Sequence, residues 1–236
     1  MGRCMVKKAN PAPQKKSQTV KVSEAKLPPS LYPFKTRSIE PANWYRVHDF
    51  VSSTGKYGPA DFNDSGRGDA RFSPLWDSDE NVIPTLYAAQ TLNGAICEVV
   101  LHDLPVGSTG YLFDWEATRN GPAHISSIWL DSLNLVDLTA IGLTAAGIEA
   151  PDLFSTKKVQ YKFTRQWARH IYDTVPEAQG LHWMSVRDNT SQVVMIFGNR
   201  ISSAAIQDLG QSAPIAQCEA TVLELLDRFG CGIGGY

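Results

Sequence analysis

Residues 85–104 read TLYAAQTLNGAICEVVLHDL, and the change of pattern inside this stretch decides the fold class. TLYA at 85–88 reads as a short strand. Thr91 can then N-cap a helix running to about residue 103, because a threonine oxygen can take one of the free backbone N–H groups of the first turn. Leu92, Ala95, Ile96, Val99 and Val100 recur at helical spacing and predict its buried stripe. One acid interrupts them. Glu98 is flanked by Ile96, Cys97, Val99, Val100 and Leu101. Taken alone it reads as a helix glutamate beside the apolar stripe, paired with His102 one turn on.

Working outward, residues 44–50 predict a strand entering the core, and 51–70, rich in Gly, Ser, Asp and Asn, predict a long loop. Long loops inside compact domains often serve function. Residues 111–115 and 125–130 read as strands, and 158–174 as a helix with Phe163, Trp167 and Ile171 at intervals of four. Residues 181–186 and 192–197 read as strands joined by the turn RDNTS, and 218–229 as a last helix. Short strands mixed with separated helices predict an α+β domain.

The chain has 236 residues, enough to bury a sizeable core, and 43% hydrophobic against 19% charged residues places it among ordinary soluble proteins. No apolar run is long enough to span a bilayer, and no apolar segment follows the basic N-terminus as in a secretory signal. Cys4, Cys97, Cys218 and Cys231 are scattered without a CxxC pair, which predicts reduced thiols in a cytoplasm. The formal charge of −2 conceals an asymmetry: residues 1–39 carry nine cations and the single acid Glu24, so the remainder is strongly acidic. With its prolines, 1–39 reads as a disordered basic arm before a domain at 40–236. An acidic body argues against a nucleic-acid surface on the folded part.

Several motifs fail. GCGIGGY near the C-terminus follows a helix instead of opening one, so it lacks dinucleotide-binding geometry. SSTGKYG lacks the upstream glycine and the Ser/Thr of a P-loop, and there is no GxSxG. What remains is a set of polar residues in apolar settings. Arg46 lies in the strand NWYRVHDF, where a guanidinium needs an anionic partner or a phosphate. Arg71 and Ser73 lie in GRGDARFSPL, Tyr87 in TLYAA, and Ser185 at the end of a strand in GLHWMSVRDN.

Taken in order, WYRV, a glycine-containing loop into RFSP, LYAA, a helix with A-x-x-E and a late serine, this set resembles the RES domain family, named for its Arg, Glu and Ser. The likeness covers roughly 44–197 and is densest over 71–102. It implies an ADP-ribosyltransferase-like core of mixed short strands with flanking helices. It also implies a cytoplasmic toxin of a bacterial toxin–antitoxin pair, restrained by an Xre-type antitoxin, with nucleic acid reached only through that partner. Such proteins consume NAD as a substrate by hydrolysis or phosphorolysis, or transfer ADP-ribose to a protein acceptor, and no metal is required. By motif position the resemblance assigns Glu98, Arg46 and Tyr87 to catalysis. Arg46, Arg71, Ser73, Tyr87 and Ser185 would bind NAD, with Ser73 standing where many relatives have Asn. A rival from another class is a non-catalytic binding protein acting through the basic arm, which would leave the ordered Arg, Tyr and Glu set without a purpose.

Overall fold

A computed structural model describes residues 33–50, 57–105, 110–154 and 158–234. In chain order the elements begin with β1 (Thr36–Ile39), β2 (Ala42–Asp49), β3 (Leu75–Trp76), β4 (Val82–Ile83), β5 (Thr85–Ala89) and α1 (Leu92–Val99). Then come β6 (Leu112–Asp114), α2 (Trp115–Arg119), β7 (Ala123–Leu130), β8 (Leu133–Asp137), α3 (Ala140–Ala146) and α4 (Ala150–Phe154). The chain closes with α5 (Tyr161–Thr174), β9 (Gly180–Met184), β10 (Gln192–Phe197), β11 (Ile206–Pro214), α6 (Glu219–Arg228) and β12 (Gly232–Gly234).

Eight strands form one mixed sheet in the order β1-β8-β9-β10-β5-β2-β7-β11, in which only β8 and β9 run parallel. The larger apolar layer lies against α1, α5 and α6 and includes Val47, Ile96, Trp167, Trp183, Val193 and Leu226. A smaller layer, including Trp44, Leu86, Ile128 and Ile196, covers the other face together with loop residues such as Ala60 and Phe62. The expected α+β class is what forms.

One seam in this sheet positions the site. β2 pairs with β7 along its whole length, and β5 pairs likewise with β10. Between β2 and β5 the ladder holds a single registered pair, Tyr45 opposite Ala89. Beyond it the strands part, and Thr85 exchanges both backbone hydrogen bonds with Asn63 of the intervening loop. Two half-sheets thus meet at one junction and fork.

Several expected elements need adjusting. Thr36–Ile39, inside the segment expected to be a disordered arm, forms edge strand β1 against β8; residues 1–32 lie outside the described residues. The 111–115 strand is cut short, because Asp114 caps α2 by accepting a hydrogen bond from Ala117 N–H at 2.9 Å. α1 ends at Val99 and not at 103, and the next carbonyls turn aside: Arg187 donates to the carbonyls of His102 and Leu104. Val99, expected in the buried stripe, is therefore 42% exposed. β9 stops at Met184, so Ser185 belongs to the turn that follows. GCGIGGY contributes β12, which pairs in parallel with β6.

Candidate active site

The fork holds a cavity of about 700 Å³, within the range of small-molecule sites. A row of cross-strand neighbours, Trp183, Val193, Ala89 and Tyr45, crosses its wall from β9 to β2. The two small central residues between two aromatic ones leave room for a ligand. Five cations line the cavity, Arg46, Arg67, Arg71, Lys158 and Arg187, against three carboxylates, Asp49, Asp69 and Glu98. In a domain that is otherwise acidic, this local inversion of sign favours an anionic ligand.

Glu98 lines this cavity from α1. The Ser185 hydroxyl donates to its Oε1 at 2.7 Å and Val186 N–H donates to the same oxygen at 2.9 Å. Among the described residues nothing donates to Oε2. The expected pairing with His102 does not form; that imidazole sits 3.1 Å from Asp103 and 2.8 Å from the Val99 carbonyl. Ser185 is 1% exposed and its oxygen also accepts from Asp188 N–H at 3.1 Å. Its place is therefore beneath Glu98, and it does not line the cavity.

The β9–β10 turn grips α1 along its length. At the N-terminal end Thr91 caps Gly94 N–H at 3.0 Å, and its hydroxyl bonds Ser191 at 2.8 Å. A Cβ on Gly94 would stand 2.1 Å from Ser191 Oγ, so only glycine permits the approach. At the other end Arg187 holds the carbonyls after the helix. These contacts fix the Glu98 side chain relative to the sheet, the kind of preorganisation that electrostatic catalysis requires.

Arg46 lies on β2 and is 9% exposed. Its Nη1 donates to the carbonyls of Gly58, Pro59 and Asp61 at 3.4, 2.9 and 2.6 Å. Burial pushes its pKa down to about 10, with the Asp61 charge opposing the shift, so it stays cationic at neutral pH. The anionic partner expected for this strand arginine is replaced by three peptide dipoles. Two residues on, along the same strand face, His48 completes the clamp: its Nδ1 meets the Tyr57 carbonyl at 2.6 Å and its Nε2 meets Ser126 Oγ at 2.7 Å. A nitrogen facing a carbonyl must carry the proton, so Nδ1 donates to Tyr57, while the Ser126 oxygen at Nε2 also lies 2.9 Å from Ser212 Oγ.

Burial, reinforced by the Arg46 charge, pushes the His48 pKa down to about 4. The unfolded chain, at the ordinary histidine value, binds the proton first. The stabilisation is therefore complete above pH ~6.5 and is lost as pH falls towards 4. Urea unfolding between pH 7 and 4 is expected to show this slope, and His48→Gln to flatten it; an equal slope in the variant would refute the assignment.

Arg71 sits on the far wall. Its Nη1 donates to the carbonyls of Leu153 and Phe154 at 3.0 and 3.1 Å, and its guanidinium lies 5.2 Å from the Tyr161 ring centroid. Tyr87, on β5, accepts a hydrogen bond from Phe72 N–H at 3.2 Å, and its ring meets Trp183 edge-on at 6.2 Å. Burial pushes its phenol pKa up, with a Ser73 hydrogen bond opposing in part, so the hydroxyl keeps its proton. Ser73, 4% exposed, also lines the cavity. Arg46, Arg71, Ser73, Tyr87 and Glu98 are thus brought together around one space, with Ser185 immediately behind. Sequence reasoning missed His48, which the period-2 alternation of a strand places on the Arg46 face, and Arg187 and Asp188, signalled only by the polar turn RDNTS.

An arginine, a glutamate and a buried serine converge here from β2, α1 and the β9–β10 turn, and the RES domain profile matches residues 43–216. The chain belongs to the RES domain family. A chain of the crystal structure of the M. tuberculosis MbcT–MbcA toxin–antitoxin complex shares the fold with a TM-score of 0.54. The two are 19% identical over 80% of this chain and 91% of that one. That likeness and the family match bear out the ADP-ribosyltransferase-like α+β fold of a RES protein. No curated protein matches the chain. Among the described residues no helix is long and apolar enough to cross a membrane.

Proposed function

We propose that this RES protein is the toxin of a toxin–antitoxin pair and cleaves the bond between nicotinamide and ribose in NAD, within the domain 40–236 and its added edge strand β1. The observation that carries this reading is Glu98, fixed through one carboxylate oxygen at the wall of a cation-lined cleft. As the bond breaks, its electron pair leaves with the pyridine nitrogen and the sugar becomes an oxocarbenium ion. A nearby carboxylate opposes that charge, most strongly where water is partly excluded. Oε1 is engaged by Ser185 and Val186, which leaves Oε2 for a ribose hydroxyl. Tyr87 offers the nicotinamide ring an aromatic wall, and water or phosphate completes the reaction at the sugar.

Nicotinamide release from NAD by purified protein, with and without phosphate, tests this directly. Release is expected, with the phosphate dependence separating phosphorolysis from hydrolysis; no release overturns the reading. Labelled NAD with lysate supplies the contrast, since label retained on a protein band would favour ADP-ribosyl transfer. The partner is proposed to be an Xre-type antitoxin from the neighbouring gene that blocks the cleft, and its addition should stop NAD loss.

Ser185 acts through Glu98. Ser185→Ala removes one of the two donors on Oε1 and the acceptor of Asp188 N–H, so kcat is expected to fall roughly tenfold to a hundredfold. Stability should fall by about 1 kcal/mol. Steady-state nicotinamide release at the wild-type rate would refute this positioning role.

A further inference from the structure

Four of the five cations of the cavity are engaged by the protein itself. Arg46, Arg71 and Arg187 donate to backbone carbonyls, and Lys158 lies 3.5 Å from Asp103. Arg67 differs. Its side chain makes no hydrogen bond or ion pair among the described residues, yet the backbone carrying it is tied down on every side. Asn63 exchanges backbone bonds with Thr85, which anchors the turn to the sheet rim. Its Oδ1 accepts from both Ser65 N–H and the Ser65 hydroxyl, and its Nδ2 donates to the Arg67 carbonyl at 2.9 Å. Arg67 N–H donates to Ser65 Oγ at 3.2 Å. On the following side, Arg165 holds Asp69 at 2.7 Å, and Ala70 N–H bonds the Ser73 carbonyl at 3.1 Å. Gly66 and Gly68, at φ +66° and +109°, flank the residue in a conformation that side chains rarely adopt. A preformed turn thus presents one uncommitted guanidinium at the cavity.

We infer that Arg67 is the pyrophosphate-binding cation of this cleft, a role that rests on the NAD reading and that the engaged Arg46 and Arg71 fill less well. A free guanidinium can take two phosphate oxygens at once, and a pre-ordered backbone lowers the ordering cost of that contact. Binding of three probes by calorimetry tests it: ADP-ribose, which carries the pyrophosphate, nicotinamide, which does not, and inorganic phosphate. In Arg67→Gln, ADP-ribose affinity is expected to fall about tenfold and KM for NAD to rise in parallel, with nicotinamide affinity and melting temperature unchanged. Arg67→Lys should recover part of the loss. ADP-ribose bound as tightly by Arg67→Gln as by wild type overturns the inference, as does a loss confined to inorganic phosphate. A wild-type protein that neither binds ADP-ribose nor consumes NAD overturns the NAD reading and this inference together, whereas a wild type that consumes NAD beside an unaffected Arg67→Gln removes only the inference.

Discussion

Glu98→Gln is expected to release nicotinamide from NAD about a thousandfold more slowly than wild type, while its melting temperature stays within about 2 °C. The two halves of this result have different physical sources. Glutamine keeps the length and shape of the side chain, and its carbonyl oxygen can still accept from Ser185 and from Val186 N–H. The grip of the β9–β10 turn on α1 is therefore retained, and with it the fold. What disappears is one negative charge opposite a sugar that becomes positive only in the transition state. An interaction of that kind lowers the barrier without tightening ground-state binding, so kcat should fall with little change in KM. Nicotinamide release at the wild-type rate by the purified variant would remove Glu98 from the chemistry.

Arg46→Ala should damage both stability and binding. From sequence, its loss is expected to weaken NAD binding far more than it lowers the melting temperature. The three carbonyl contacts alter that balance. Losing them at about 1 kcal/mol each gives a cost of roughly 3 kcal/mol, or a drop of about 6–12 °C in melting temperature for a domain of this size. The loop they hold supplies Tyr57 to the cavity wall, so affinity for NAD should fall as well. Arg46→Lys, which retains the charge and some donors without the planar fork, should recover stability more than affinity. Thermal melting and NAD titration of both variants check this; an alanine variant that melts with the wild type would show that the clamp contributes nothing.

These two residues also show how far the sequence could be read. The strand, the Thr91 cap and the helix bearing Glu98 were legible because their signals are local: a capping oxygen, an apolar stripe and an acid out of place. β10 was legible to the residue because its six apolar-rich positions are bounded by a polar turn and a glycine. β11 was not, because a nearly fully exposed edge strand reading IQDLGQSAP carries no apolar alternation. The partners of Arg46 lie 12 to 15 residues further along, in a loop whose path depends on the fork. Ser185 was recognised but its contact was not, since the end of β9 determines whether it meets the ligand or the carboxylate behind it. Arg67 stood out by no local signal; it becomes distinctive only once the other guanidiniums are seen to be occupied.

The seam between β2 and β5 has one more consequence. A sheet that parts in its middle creates two interior rims of unpaired peptide groups, and such rims invite strands from other molecules. Here the gap is stoppered by the chain itself: Asn63 pairs with Thr85 on one rim, while Arg46 and His48 tether the carbonyls of residues 57–61 beside the other. The residues that shape a binding space for a small molecule therefore also guard the open sheet against aggregation, so a chain that loses that plug risks its solubility as well as its catalysis.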